Sequence, residues 1–503
     1  MRKAYRVPVA GSRNKRISAT NILNSVSGYV GIGIVGLMIV GKTSDSSAKD
    51  QRFINCYSET IVDPVTGKQE VYCVKRPGFG ASITTGTTAI GTAILIWTGL
   101  TTGDHVVSAF GAPNSTLYNG TTSLGAITGK AASITETFVS AVPTLTISST
   151  DNTGWYYDVP TGVATKITDA DFPGNASLTL AGTFAHIDGY ACIMDTTGKL
   201  WASDLNSVTA WTATSFGSAN SYPDKGIGAV RHRNFIMCFG SGSVEFFYNA
   251  GQTPFPFAKN ASMTQKVGCI SADAIAQIAD TTFWCGSSPQ GGLSIFQYAD
   301  GISRISTPEI DAILILVGTA NITLTTIRFY GRSFVLVKIG TTALVYCIEE
   351  KQWSEWTSSN QPWYKIVGNS IGGTLVNYCI SNTLTGGIVY SMNPASLVYS
   401  DAGSSYTATM QLDSNDLGTR NRKAWESLAV IADIQSVTSP IQISYSDDDY
   451  ETVNVWGNLD LADNIPVARR LGSSRRRAWI LNHSANTAMR IRNLEGVATI
   501  GNS

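Results

Sequence analysis

The sequence is short of charge. Asp, Glu, Lys and Arg make up 14% of the 503 residues, and bases and acids balance at 36 each. That neutrality excludes a whole-surface attraction to nucleic acid or anionic lipid and confines any such contact to a local patch. Histidine is also scarce. His105, His186, His232 and His483 show no i, i+4 spacing and no cysteine beside them, so a zinc site has no support. The eight cysteines (Cys56, Cys73, Cys192, Cys238, Cys269, Cys285, Cys347 and Cys379) include no C-x-x-C and mostly sit in apolar runs such as FIMCFG. They read as buried free thiols of a protein made in a reducing compartment. Long apolar runs are lacking too: Tyr29 to Val40 is about a dozen residues, where a membrane helix needs about 20. The stretch following Arg2, Lys3, Arg6, Arg13, Lys15 and Arg16 is broken by Asn24, Ser25 and Ser27 and offers no clear cleavage site. Neither a signal peptide nor a transmembrane helix is expected.

Glycine, at 48 residues, is plentiful, as are Ser and Thr, which is a composition of strands and turns. Strand, turn, strand units recur at 104 to 120, 143 to 159, 189 to 204, 233 to 249, 281 to 301, 332 to 353 and 374 to 394. Each is a β-branched or aromatic run, a Gly/Ser/Thr/Asn/Asp turn, and a second such run. Their spacing of roughly 40 to 50 residues is that of a four-stranded propeller blade, which buries its faces only by stacking on its neighbours. Long helical periodicity is nearly absent, and ISADAIAQIAD (270 to 280) fits a short helix or a strand. The expectation is an all-β chain: an N-terminal arm over 1 to 81, a β-propeller of six or seven blades over 82 to 400, and a C-terminal antiparallel β domain over 401 to 503.

Positive charge collects in the last segment, at Arg420, Arg422 and Lys423, then Arg469, Arg470, Arg475, Arg476 and Arg477. Two readings fit. Arginines at this density suit a phosphate-facing strip, because Arg binds phosphate bidentately and backbone contacts need no sequence reading. They equally suit interface ion pairs with Asp447, Asp448 and Asp449, or a solvated loop.

GIGIVGLMIVGKTS (31 to 44) satisfies two nucleotide-binding patterns, G-x-G-x-x-G through Gly31, Gly33 and Gly36, and G-x-x-x-x-G-K-T through Gly36, Gly41, Lys42 and Thr43. A phosphate loop needs a preceding strand and a following helix, but Thr43 leads into the turn-prone SDSSAKDQ. The loop positions Leu37, Met38, Ile39 and Val40 are bulky where the chain must fold tightly around an anion. The dinucleotide pattern lacks its helix and its ribose-binding carboxylate. No cofactor is expected. Tyr29, Val30, Ile32, Ile34, Leu37, Met38, Ile39 and Val40 instead read as an apolar contact element within an insertion at about 18 to 48. It would pack against another subunit or another surface, or else as a strand pair within its own subunit.

Catalysis has little footing. STDNTGW (149 to 155) approaches the aspartate box of sialidases through Ser149, Asp151 and Trp155, with Gly154 displaced, and that box stabilises a turn. Glycoside hydrolysis needs two carboxylates about 5 to 10 Å apart, and the spacing of Glu245, Asp300 and Glu309 singles out no pair. H-E-x-x-H does not occur.

VPVAGS (7 to 12), DQRFINCYSE (50 to 59) and VKRPGF (74 to 79) together resemble the opening of the packaged-DNA stabilisation proteins of short-tailed bacteriophages, also called tail hub or nozzle proteins. Gln51, Arg52, Asn55, Tyr57, Pro77 and Gly78 carry that match. In mid-chain, IGAVRHRNFIMCFGSGSVEFFYNAG is similar to the family's segment through Phe239, Gly240, Glu245 and Phe246, and the Arg-rich end resembles its last strands. The resemblance implies a structural virion protein rather than an enzyme, assembled in the host bacterial cytoplasm. It implies a homo-hexameric ring below portal and adaptor that prolongs the DNA channel, retains the packaged genome and mediates its ejection. Fibre or spike and needle or plug proteins would be its neighbours; Arg469, Arg470, Arg475, Arg476 and Arg477 would face DNA in the lumen or an interface, and the apolar element would meet a tail protein or the host envelope. The competing expectation is a propeller tail component that binds or hydrolyses glycans.

Overall fold

The computed structural model describes residues 28–33, 52–62, 67, 69–98, 105–139, 142–219, 221–288, 291–371 and 374–501. Strands dominate, and Pro308–Val317 is the one α-helix among the described residues. None of these residues forms a helix long and apolar enough to cross a membrane. The chain divides into two compact units, one drawn from 79–343 and 360–396, the other from within 1–78, 344–359 and 397–503.

The first unit is a β-propeller. Four-stranded antiparallel sheets occupy 91–127, 131–166, 180–218, 226–259 and 275–304, followed by the hairpin of Ile322–Phe329 and Arg332–Ile339. The last sheet runs through 365–392 and takes its outer strand, Gly80–Thr84, from the start of the unit. The first strands lie side by side in a ring. Gly91–Trp97 neighbours Ala131–Val139, which neighbours Leu180–Ile187 and then Gly226–His232. The short turn Ala272–Ala274 touches Gly226–His232 and leads into Ile275–Ile278, which neighbours Ile322–Phe329; that strand neighbours Lys365–Ile371, which returns to Gly91–Trp97. Seven first strands thus surround one axis, which resolves the expected six or seven blades.

Blade-on-blade burial explains why the repeat is stable only as a ring. Trp97, Val107 and Leu117 of the first blade pack with Leu145, Ile147 and Tyr157 of the second. Trp97 and Tyr157 meet edge to face at 5.6 Å, a geometry worth about 0.5–1.5 kcal/mol beyond area burial. Turns are held by side chains. Fully buried Asp195 accepts hydrogen bonds from the Thr197 amide (2.8 Å), the Thr197 hydroxyl (2.6 Å) and Trp201 Nε1 (2.9 Å). Asp151 in STDNTGW plays the same turn role, accepting from the Thr153 amide and hydroxyl. At the axis, Lys365 of the last blade donates to the Ala132 carbonyl of the second (2.8 Å) and pairs with Asp273 (2.9 Å), so side chains bridge the ring of first strands.

ISADAIAQIAD resolves into the turn Ala272–Ala274 and the strand Ile275–Ile278. The helix Pro308–Val317 is an element that sequence reading missed. Its apolar ILILV resembles a strand, and the signal lay in Thr307-Pro308 with Glu309 and Asp311 in the first turn.

The second unit is a pair of sheets enclosing one core. One sheet orders Cys56–Val62, Gln69–Lys75, Arg490–Ile500, Lys423–Ala432 and Val467–Arg469, with Gly28–Gly33 and Ser473–Ser474 added to it. The other contains, in order, Gln352–Thr357, Arg52–Ile54, Ala408–Gln411, Ala478–His483, Pro440–Ser446 and Asn454–Asp460. Phe53, Trp425, Leu428, Ile441, Trp479 and Leu494 fill the space between. The expected division into a separate arm (1 to 81) and a separate C-terminal domain (401 to 503) therefore differs from the structure: strands from both ends hydrogen-bond into common sheets. Pairing partners more than 400 residues apart, such as Cys73 and Ile491, leave no local trace in sequence.

Candidate functional site

The second unit holds a buried polar cluster built from the residues of the N-terminal motifs. Arg76 is fully buried and forks onto Asp401, Nη1 to Oδ1 at 3.1 Å and Nη2 to Oδ2 at 2.5 Å. Its guanidinium lies 4.0 Å from the ring centroid of Tyr406 and 4.6 Å from that of Trp356. Asn55, in the left-handed region at φ 55°, accepts from Arg76 Nε (3.1 Å) and donates to the carbonyls of Thr357 (2.9 Å) and Thr407 (2.8 Å). Gly78 is needed for close approach: a Cβ there would meet the Ser400 carbonyl oxygen at 2.1 Å. Arg52 pairs with Glu355 through both carboxylate oxygens. Asp401, Tyr406 and Trp356 were not legible as partners.

Beside this cluster, buried Lys75 donates to the Ala485 carbonyl (2.7 Å) and sits 3.3 Å from Nδ1 of buried His483. Burial, then the charge of Arg76, pulls the Lys75 ammonium down to about 7. Burial, then Lys75, pulls His483 down to about 3. Ser439 Oγ contacts His483 Nε2 at 2.8 Å. The Lys75 residue is 1% exposed and its amine has no room for a substrate, so the arrangement is architectural.

The five arginines expected at a lumen or interface divide. Arg477 is buried, forks onto Asp447 at 2.7 Å and lies 3.9 Å from the Tyr445 ring centroid. Arg476 pairs with Asp449 and donates to Ser414 Oγ. For these two, pairing with the Asp447 to Asp449 stretch is what the structure shows, within one chain. Asp448 is instead held at about 2 by hydrogen bonds from Thr452 and Ser446. Arg469, Arg470 and Arg475 are exposed, as are Arg420 and Arg422, and none of the five has a carboxylate partner among the described residues. They are gathered by local pairing. Arg469 lies opposite Ser427 and Ser473 opposite Ala424, on one strand. Lys423 is buried and donates to the carbonyls of Thr419, Asn421 and Arg475, drawing Arg420 and Arg422 beside Arg475. The segments that carry these arginines are thus neighbours along Lys423–Ala432.

Of the expected apolar contact element, Tyr29, Val30 and Ile32 lie in Gly28–Gly33, which pairs antiparallel with Arg490–Ile500 of the same chain. Ile34, Leu37, Met38, Ile39 and Val40 lie outside the described residues, as do Gly36, Gly41, Lys42 and Thr43. Gly31 and Gly33 sit in an antiparallel strand, where a phosphate loop would need a turn opening a helix.

The acids singled out in sequence occupy separate environments. Glu245 is buried against Lys259 (2.9 Å), Asp300 pairs with Arg233 (2.7 Å), and Glu309 lies in the first turn of the helix. GNSIG (368–372) matches the nucleophile-elbow pattern G-x-S-x-G, which sequence reading passed over. Its residues Gly368 to Ile371 lie within the strand Lys365–Ile371, paired antiparallel with Thr374–Ile380, whereas an elbow places its serine at a turn from strand to helix. Phe239 and Phe246 are core residues, and Gly240 leaves space for the Asp224 carboxylate. All eight cysteines are free and buried, and burial pushes the Cys269 thiol up to about 12. Among the described residues no cluster of three or more His, Cys, Asp or Glu gathers to hold a metal. A pocket lined by Phe53, Tyr57, Gln352 and Trp353 encloses about 10 Å³, room for about one water.

Comparison with solved structures places the chain beside other folds at low similarity. Raptor of Chaetomium thermophilum is 11% identical, with 64% of this chain covering 29% of that one at a TM-score of 0.40. The RRP9 WD40 repeats are 7% identical over 64% of this chain and 99% of theirs, at 0.38. BBS1N, solved in complex with ARL6DN, is 12% identical over 63% and 98%, at 0.35. These likenesses carry no functional argument. No curated protein matches the chain significantly. A family profile does: Phage_stabilise, described as Bacteriophage P22 Gp10, beta-propeller, matches residues 96–369. That span is more than half of the chain and runs from the first strand of the first blade into the first strand of the last. The chain belongs to this bacteriophage β-propeller family.

Proposed function

We propose that this protein is the tail hub or nozzle of a short-tailed bacteriophage virion, six copies closing a ring below portal and adaptor that extends the DNA channel. In this reading it retains the packaged genome, mediates ejection, and meets fibre or spike and needle or plug proteins. The family match over 96–369 carries the reading. A ring of this kind uses unlike surfaces that close on rotation. Lys365 bridges the axis of the blades, which argues for a lumen between copies rather than through one propeller. The exposed Arg420, Arg422, Arg469, Arg470 and Arg475 suit transient, sequence-independent contact with DNA phosphates. Co-sedimentation of the purified protein with portal and adaptor tests the proposal: stoichiometric incorporation supports it, and a protein that stays at the top of the gradient overturns it.

A further inference from the structure

The ladder between Gln69–Lys75 and Arg490–Ile500 is a fork. Only Cys73 with Ile491 and Val74 with Arg490 pair directly. Beyond them Gln69–Lys75 keeps its partner Cys56–Val62, but Arg490–Ile500 is paired from Asn493 to Ala498 by Gly28–Gly33. The register runs from Gly28 opposite Ala498 to Gly33 opposite Asn493. Without a guest strand that stretch would present unpaired backbone groups, an edge ready to template another chain.

We propose that in the assembled ring this edge is filled by Gly28–Gly33 of a neighbouring copy, so that the subunits are joined by strand exchange. This fastening rests on the ring reading above, and chain length is what permits it. Gly33 lies level with Asn493, two residues beyond the level of Cys73, and Cys56 pairs with Lys75, two residues on the other side of Cys73. Along the sheet Gly33 and Cys56 are thus separated by four residues of strand, about 13 Å, and Arg52, where the next strand begins, lies four residues before Cys56 and so at most about 14 Å from it. Residues 34–51 reach up to about 60 Å when extended, far more than the return within one chain requires. The guest pairs through its backbone over six residues, half of them glycine, so a second copy of the same segment fits as well as the chain's own. Exchange of an identical element is a low-cost route to assembly, because the interface reuses pairing that a single chain already makes.

Register partners supply the test. Tyr29 lies opposite Val497, so chains carrying Tyr29→Cys and chains carrying Val497→Cys are mixed in the unfolded state, refolded together and assembled with portal and adaptor. They are then oxidised and separated without reductant. Exchange predicts a covalent dimer of the two chains, and the Tyr29→Cys/Val497→Cys double variant predicts a ladder up to the full ring. Rings that form while the double variant closes only within single chains overturn the exchange and leave the ring reading intact. Absence of rings overturns both. If the cysteine variants fail to fold, the unmodified chain refolded with excess peptide of residues 26–35 gives a second readout: exchange predicts capped monomers, and undiminished rings overturn it.

Discussion

Arg76 and Asp401, 325 residues apart in sequence, form a bidentate ion pair with no exposed side-chain surface on either partner. Two charges so buried are tolerable because the guanidinium is also stacked on Tyr406 and Trp356 and bonded to Asn55. Removing one partner leaves the other stranded. Arg76→Met is expected to cost about 3–5 kcal/mol, and Arg76→Met with Asp401→Leu to recover much of it. Urea denaturation followed by tryptophan fluorescence reads both, and a double variant no better than the single would contradict the account.

Gly78 makes a different claim. Its Cβ position is occupied by backbone of Ser400, so Gly78→Ala must move a strand end, at a cost of about 1–3 kcal/mol. Gly301 has no heavy atom near its Cβ position and no left-handed φ, and Gly301→Ala should stay within about 0.5 kcal/mol. Thermal unfolding of the pair decides; equal losses would mean that close approach is not why glycine stands at 78.

Stability should depend on pH in two windows. His483 sits at about 3 when folded against an ordinary 6.5, so between these values the unfolded chain binds more protons and acidification removes stability. Lys75 sits at about 7 against an ordinary 10.5, so between about pH 7 and 10.5 the unfolded chain again holds the extra proton and stability rises with pH. Lys75→Met should flatten the alkaline rise. Denaturation series across pH test this, and an unchanged alkaline slope would rule out Lys75 as its source.

The arginines separate by role. Arg477→Ala should destabilise the protein, since it leaves Asp447 unpaired and empties a stack on Tyr445. A triple Arg469→Ala/Arg470→Ala/Arg475→Ala variant should unfold like the parent but bind duplex DNA with a shallower salt dependence. The slope should fall by about 0.9 for each phosphate that is no longer neutralised. Fluorescence anisotropy between about 50 and about 200 mM salt measures it; an unchanged slope would remove these residues from the DNA interface.

Local structure was legible where a short stretch determines it. The strand, turn, strand stretches at 104 to 120 and 189 to 204 are the second and third strands of their blades, because alternating β-branched residues and a turn suffice to define a hairpin. What escaped was set by distant chain. Gly80–Thr84 completes the last blade by pairing with Ile388–Met392, and Arg76 finds Asp401 only once the ends of the chain share a unit. Asn55, Arg76 and Gly78 were visible as motif residues, but their reasons, a left-handed turn, a buried fork and a backbone contact, belong to tertiary structure. Arg477 shows the same limit: five neighbouring arginines look alike in sequence, and burial beside Asp447 sets one apart.

The central claim, a ring-forming component of a phage tail, is tested most directly by electron microscopy of the purified protein, alone and mixed with portal and adaptor. The account predicts closed rings of six-fold symmetry, alone or seated below the adaptor. Monomers that remain single and never join the portal complex would contradict it.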